Sequence, residues 1–282
     1  MMKNHGLPKK LLRIGLNQSQ NCVAALGRLF GVIDFPVPPN SSIRKTAGKT
    51  LTSYYMGGVR SFLPIATCAQ REGVRLDQNI NVLDFGCGVG RQLLHFTRKY
   101  KAPAFYACDL DDTAIDFIQK HYPQVNAHTS KFTPPLRYDP GCFDLIYSVS
   151  IFSHLNMEDQ AIWLKELARV TKPGGYCLLT TEGPATLKVF ARQFGRDEAA
   201  LRDQLDRQGF IYKEYPDWQE CAKTQNTLRI ASNMVGIERS YGNTVLAPDY
   251  IRKTWPAAGF EVRAIVEAII DDRQDLVVLR RV

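Results

Sequence analysis

The stretch that decides the fold is Val82-Leu83-Asp84-Phe85-Gly86-Cys87-Gly88-Val89-Gly90-Arg91, where an apolar run gives way to alternating glycines. Residues 81–85 predict a short buried strand, and residues 92–100 carry apolar side chains at helical spacing. The glycines therefore form the turn between strand and helix, since glycine adopts positive φ and lets a ligand approach the backbone closely. We expect a ligand to bind at this turn.

Two side chains narrow the chemistry of that ligand. A dinucleotide pyrophosphate would need a third glycine where Arg91 stands. By contrast, Asp109 ends the next apolar run, 19 residues after Gly90. A carboxylate at a strand tip can accept hydrogen bonds from both hydroxyls of a ribose, each charge-assisted bond contributing roughly 1.5–3 kcal/mol. The pattern points to a nucleoside without a pyrophosphate, such as S-adenosylmethionine.

Two further segments, residues 143–155 and 172–181, follow in order along the chain. With the glycine turn and Asp109 they make the sequence resemble the class I S-adenosylmethionine-dependent methyltransferases over roughly residues 51–181. The resemblance implies an enzyme with S-adenosylmethionine as cofactor. It also implies an α/β fold, a Rossmann-like doubly wound and mostly parallel sheet of seven strands with an antiparallel edge hairpin.

The resemblance also assigns the cofactor contacts. The methionine end is expected against Asp84, Gly86 and Gly88, and the ribose against Asp109. No acidic residue follows the third strand, so the adenine is expected against Ser130, Phe132 or backbone carbonyls. The full set of expected cofactor contacts is Asp84, Gly86, Cys87, Gly88, Arg91, Asp109, Leu110, Ser130, Lys131, Phe132, Ser148 and Val149.

Methyl transfer from a sulfonium is an in-line displacement, so the protein mainly positions the acceptor and, for a hydroxyl, removes its proton. His154, just beyond the fourth strand, is the candidate catalytic base, because an unperturbed histidine titrates near neutral pH. A hydrogen bond within its loop is the alternative role for this side chain. Tyr55, Arg60, Ser150 and Ser153 are candidates for substrate binding.

Three segments, Pro38-Pro39 and residues 134–136 and 274–276, resemble a bacterial subgroup often encoded among genes for surface-glycan or natural-product assembly. This resemblance implies a hydroxyl of a small molecule or glycan as acceptor. A carboxylate or amine of a modified peptide is the alternative acceptor. Alternatives of another class are a membrane-peripheral scaffold and a non-catalytic partner that keeps the cofactor fold. The retained glycines and Asp109 argue against the latter.

Charge is distributed unevenly along the 282 residues, since residues 1–50 carry +7 of the net charge of +8. The remaining chain is nearly neutral, which argues against a nucleic-acid partner. We expect residues 1–45 to be a basic arm, with a helix over residues 8–32 and a proline-rich linker over residues 35–42. That arm has three open roles, namely packing on the catalytic domain, forming a homodimer or lying on an anionic membrane surface.

Residues 46–282 are expected to form the methyltransferase domain, with residues 182–240 as an insertion that shapes the substrate site. The sequence has no apolar stretch of about 20 residues and no signal peptide, and its seven cysteines lack metal-ligand spacing. A cytoplasmic protein without a metal site is expected. Strands are predicted near residues 81–85, 104–109, 125–129, 143–149, 176–181, 209–215, 228–237, 260–269 and 275–280. One or two helices are predicted over residues 51–73, and single helices over residues 90–100, 112–121, 157–170, 198–207 and 248–257.

Overall fold

A computed structural model describes residues 34–46, 50–214 and 242–282. The predicted helix over residues 8–32 and the predicted strand over residues 228–237 lie outside the described residues. The described residues up to Gly57 and those from Gly58 onward form two compact units. Among the helices that the structure describes, none is long and apolar enough to cross a membrane.

The proline-rich linker is shorter than predicted. Helix α1 (Asn40–Thr46) begins directly after Pro39, whose carbonyl accepts the amides of Ser42 and Ile43 at 2.9 and 3.0 Å. The expectation of a linker through residue 42 was therefore wrong, because prolines exclude a helix only up to their own position and are tolerated at its first turn. Helix α2 (Leu51–Arg71) is a single helix, although it contains Pro64.

Alternating strands and helices build the parallel part of the central sheet. Its strands are β1 (Asn81–Phe85), β2 (Ala104–Asp109), β3 (Val125–Thr129), β4 (Phe143–Ser148) and β5 (Thr171–Glu182), in the spatial order β3-β2-β1-β4-β5. The connecting helices are α3 (Leu93–Lys99), α4 (Asp112–His121) and α5 (Met157–Val170). Parallel strands with helical crossovers place their carboxyl ends along one edge. The glycine turn, Asp109 and the end of β4 consequently lie at the same edge.

Antiparallel strands extend the sheet beyond β5. Strand β9 (Gln274–Arg281) pairs with β5 and with β8 (Phe260–Ile270), which forms the predicted edge hairpin. Helix α8 (Pro248–Thr254) and a 3₁₀ turn (Trp255–Ala258) lead into this hairpin. The predicted doubly wound, mostly parallel fold is confirmed.

Two further strands make the described sheet one of nine rather than seven. Strands β6 (Phe210–Glu214) and β7 (Gly242–Leu246) pair with each other, and β7 meets β5 at one position. We call β6 and β7 the inserted hairpin, after the predicted insertion over residues 182–240, which contains β6 and ends just before β7. Before it lie the unpredicted helix α6 (Leu187–Phe194) and the predicted helix α7 (Glu198–Gln208). Strand β6 was predicted, whereas β7 was not, because its Gly-Asn start has the composition of a turn.

Helix α2 approaches the chain immediately after the glycine turn. A Cβ added to Gly58 would lie 2.5 Å from the Arg91 carbonyl oxygen and 2.6 Å from the His95 ring. Main-chain atoms cannot yield as a flexible side chain does. The absence of a side chain at Gly58 therefore allows helix α2 to pack against this part of the turn.

We expect Gly58→Ala to lower the free energy of unfolding by about 1–3 kcal/mol, the usual penalty of overpacking. Alanine favours a helix over glycine by about 1 kcal/mol, so propensity alone predicts the opposite sign. Urea unfolding measures the difference. Thr67→Ala on the exposed face of the same helix is the control and should change stability by less than about 0.5 kcal/mol.

Candidate active site

Strand β2 holds the glycine turn in place. The amides of Gly86 and Cys87 donate to the Cys108 carbonyl at 2.9 and 3.1 Å, and the Gly88 amide donates to Asp109 Oδ2 at 2.7 Å. Gly86 has a φ of +77°, and a Cβ there would lie 2.4 Å from Ile151 Cδ1. Both observations require glycine at this position, as the sequence predicted.

Asp109 connects the turn to the start of the next helix. Its Oδ1 accepts the Asp111 amide at 2.9 Å, while Oδ2 accepts the Gly88 amide. Burial raises the pKa of Asp109, and the backbone amides of Asp111, Gly88 and Leu110 oppose that rise. Because each carboxylate oxygen has two lone pairs, both oxygens retain capacity to accept from a ligand.

A cleft opens where the strands end, with about 590 Å³ of empty space, part of it open to solvent. Eight of the predicted site residues line the cleft together, although they come from four different strand ends. They are Gly86, Asp109, Leu110, Ser130, Lys131, Phe132, Ser150 and His154.

Four residues of the cleft wall were not predicted as site residues from the sequence: Phe85, Ile151, Leu155 and Trp163. Trp163 lies on α5, where its helical spacing predicts only a core position. Its Nε1 donates to the Phe132 carbonyl at 3.0 Å, and its ring packs on Phe85 with centroids 4.8 Å apart. Trp163 therefore fixes the segment after β3 against the cleft, a contact that no local pattern reveals.

The remaining predicted residues do not line the cleft. In the second unit they are Asp84, Cys87, Gly88, Arg91, Ser148, Val149, Ser153 and Arg60. Arg60 forms an ion pair with Asp271 at 2.7 Å, and both side chains are about half exposed. Tyr55 belongs to the first unit, where its ring stacks on Phe35 with centroids 5.3 Å apart. The expected contacts of these residues with cofactor or substrate stay predictions.

Asp84 is enclosed beneath the glycine turn and only 2% exposed. Its Oδ2 accepts the Tyr147 hydroxyl at 3.1 Å, and the Tyr147 ring stacks on Phe96 with centroids 4.5 Å apart. Burial raises the pKa of Asp84 to about 8, against the lowering effects of Tyr147 and Arg91. At neutral pH this carboxyl is therefore largely protonated until a cation approaches it.

His154 is held by the inserted hairpin. Its Nδ1 lies 2.8 Å from the Gly242 carbonyl oxygen. A carbonyl can only accept, so Nδ1 carries the proton, and Nε2 is the basic nitrogen of the neutral ring. Burial lowers the pKa of His154 below its usual value of 6.5, although the Gly242 carbonyl, Glu182 and Asn243 oppose this shift. The ring is consequently neutral at pH 7.

Ser150 turns the chain between β4 and His154 with a φ of +61°, which is the left-handed region. Such a conformation costs a residue other than glycine about 1–3 kcal/mol. Two contacts hold it, since the Ser150 amide donates to Thr180 Oγ1 at 2.7 Å and Gln274 Nε2 donates to the Ser150 hydroxyl at 2.8 Å. Strands β5 and β9 thus determine the shape of this wall of the cleft.

Residues 82–175 match the protein family described as "Methyltransferase domain". This match and the geometry of the strand ends agree with the resemblance inferred from the sequence. Over residues 82–175, about a third of its length, the chain is therefore similar to methyltransferase domains.

Similarity to curated relatives is partial. The tRNA N(3)-methylcytidine methyltransferase trm141 of Schizosaccharomyces pombe is 30% identical over 44% of this chain and 60% of the relative. The 2-methyl-6-phytyl-1,4-hydroquinone methyltransferase of a Synechocystis species is 31% identical over 36% of this chain and 31% of the relative. Other tRNA N(3)-cytidine methyltransferases match at 24–29% identity. The chain therefore spans between about a third and three fifths of such relatives.

Likeness to solved structures is broader but concerns the fold alone. The magnesium protoporphyrin IX methyltransferase of Synechocystis, solved with bound SAH, matches with a TM-score of 0.53 and 14% identity. The match covers 98% of this chain and all of that one. At this identity the comparison supports the architecture and carries no information about the acceptor.

Asp84 should make the stability of the ligand-free protein depend on pH. The unfolded carboxyl ionises near pH 4 and the folded one near 8, so its stabilising contribution is complete below pH 4 and is lost as pH rises to 8. Between these two pKa values the free energy of unfolding of wild type should fall by about 1.4 kcal/mol per pH unit. Asp84→Asn removes this dependence, so the variant should become progressively more stable than wild type from pH 5 to pH 8.

Urea unfolding at each pH measures the difference. Asp116→Asn, on the exposed face of α4, is the control and should give a profile parallel to that of wild type. Parallel profiles for Asp84→Asn and wild type would contradict a neutral buried carboxyl.

Proposed function

We propose that this protein is an active methyltransferase that methylates a hydroxyl of a small molecule or glycan, with His154 as the general base. The observation that carries the proposal is a neutral histidine on the cleft wall whose Nδ1 is committed to the Gly242 carbonyl. Its Nε2 then remains the basic nitrogen, which suits a protic acceptor such as a hydroxyl.

The chemistry of the cleft wall fits S-adenosylmethionine. Asp109 offers both carboxylate oxygens to ribose hydroxyls, and Leu110, Phe132 and Trp163 provide an apolar surface for adenine. Asp84 lies behind the cleft wall beneath the glycine turn, where burial raises its pKa to about 8, and it would ionise if the methionine ammonium group came close to it. Bound S-adenosylmethionine supplies a methyl group on a sulfonium, whose sulfur leaves as a neutral thioether.

The proposed roles follow from these positions. The cleft would hold an acceptor hydroxyl in line with the methyl group that S-adenosylmethionine supplies, and His154 Nε2 would take the hydroxyl proton during transfer. The mostly apolar cleft wall would favour methyl transfer, because the positive charge on the sulfonium is lost as the methyl group moves.

A second candidate is methylation of a cytidine nitrogen in tRNA. The similarity to the tRNA methyltransferases supports it, and the +7 charge of residues 1–50 is available for phosphate contacts. Against it stands the near-neutral remainder of the chain. Moreover, a hydroquinone methyltransferase reaches the same identity, so similarity at this level does not select the acceptor. A ring nitrogen with a lone pair, like a carboxylate, needs no general base.

Methyl transfer from tritiated S-adenosylmethionine distinguishes these acceptors. The probes are total tRNA, a panel of free oligosaccharides and a small-molecule extract. For a hydroxyl acceptor we expect His154→Asn to lower kcat by about 10²–10⁴-fold with little change in S-adenosylhomocysteine binding. His121→Asn, at an exposed position of helix α4, is the control and should retain activity. Labelled tRNA, or full activity of His154→Asn, would refute the hydroxyl mechanism.

The pH profile gives an independent check of the base. Only neutral His154 accepts a proton, and its pKa lies below 6.5. We therefore expect kcat to rise with pH up to an apparent pKa below 6.5 and to be level above pH 7. Initial rates measured between pH 5 and pH 9 at saturating acceptor provide the test. A profile that keeps rising above pH 8 would exclude His154 as the base.

A further inference from the structure

Strand β7 makes an unusual set of contacts with residues 153–155. The Gly242 amide donates to the His154 carbonyl at 3.3 Å, and the Gly242 carbonyl accepts from His154 Nδ1. The Thr244 amide donates to the Ser153 carbonyl at 2.8 Å, and its Oγ1 donates to the Leu155 carbonyl at 2.6 Å. Thr244 therefore binds the main chain on both sides of His154.

These contacts are buried and come from one strand. Thr244 is fully buried, and Asn243 is only 6% exposed. The Asn243 Nδ2 donates to Gln193 Oε1 of helix α6 at 3.2 Å, and the Asn243 side chain also interacts with the His154 ring. Strand β7, supported by helix α6, thus contacts both the main chain and the ring of His154.

Helix α5 holds the same segment from another direction. Gln160 Nε2 donates to the carbonyls of Phe152 and Leu155 at 2.9 and 3.2 Å. Leu155 is therefore bonded by Gln160 through Nε2 and by Thr244 through Oγ1. Residues beyond a strand end usually form a loop that readily changes shape. Here the loop is fixed on two sides, which is the arrangement that keeps a functional side chain in one geometry.

We propose that β7 is the positioning element of His154, with Thr244 and Asn243 as its positioning residues. Thr244 fixes the main chain around His154, and the Gly242 carbonyl then selects the Nδ1-protonated tautomer on the cleft wall. The catalytic consequence rests on the proposed role of His154 as base, whereas the positioning itself does not. Strand β7 would thereby control which ring nitrogen of His154 is basic.

The test measures the His154 ring directly in the full-length protein, by nitrogen-15 NMR of the imidazoles, with His154→Asn to assign the signals. Thr244→Val removes one hydroxyl at nearly constant shape. We expect its His154 ring to lose the single Nδ1-protonated form and its pKa to move toward 6.5. Charged groups near the ring are Glu182 and its ion-pair partner Arg273, which the variant does not touch.

Thr171→Val is the matched control, because Thr171 is also buried and its Oγ1 donates to the Leu167 carbonyl at 2.6 Å. This variant loses a comparable hydrogen bond, but the tautomer and the pKa of His154 should stay as in wild type. Thr244→Ser keeps the hydroxyl and should restore the wild-type titration. Gln193 is exposed, so Gln193→Ala should not lower Tm. It should shift the pKa of His154 in the same direction as Thr244→Val does.

The proposal would be overturned if neither Thr244→Val nor Gln193→Ala changed the tautomer or the pKa of His154. It would also be overturned if Thr171→Val shifted the His154 pKa as much as Thr244→Val does. The proposed function can fail separately. If the Thr244→Val ring shifts but His154→Asn retains methyl transfer, then β7 positions His154 and the base is another group.

Discussion

The hydrogen bond from the Gly88 amide to Asp109 Oδ2, 2.7 Å long, is the contact on which the cleft depends. It connects the turn after β1 to the end of β2, and the second oxygen of the same carboxylate holds the start of α4 through Asp111. One half-buried side chain therefore connects two neighbouring strand ends. The backbone amides of Asp111, Gly88 and Leu110 offset the cost of taking this carboxylate out of water.

The opposite wall of the cleft is fixed by a different kind of interaction. Ser150 takes up a strained backbone conformation held by β5 and β9, and His154 is oriented by the inserted hairpin. The glycine turn and Asp109 are thus held together by the ends of β1 and β2, whereas Ser150 and His154 are held by β5, β9 and the inserted hairpin.

The parts of the structure set by local physics could be predicted from the sequence. Strand β1, the positive-φ turn at Gly86 and the carboxylate at the tip of β2 follow from apolar periodicity, the freedom of glycine and charge at a strand end. The features that could not be predicted from the sequence depend on tertiary contacts. Trp163 has the spacing of an ordinary core residue until it meets the segment after β3, and the five residues of β7 form a strand only because neighbouring elements bind them.

Calorimetric titration of S-adenosylhomocysteine into wild type and Asp109→Ala tests the central claim most directly, with Asp116→Ala as the exposed control. The account predicts micromolar binding to wild type and to the control. It also predicts at least a tenfold loss in Asp109→Ala, since each charge-assisted hydrogen bond to the ribose contributes roughly 1.5–3 kcal/mol. Equal binding by Asp109→Ala and wild type, or none by folded wild type, would contradict it.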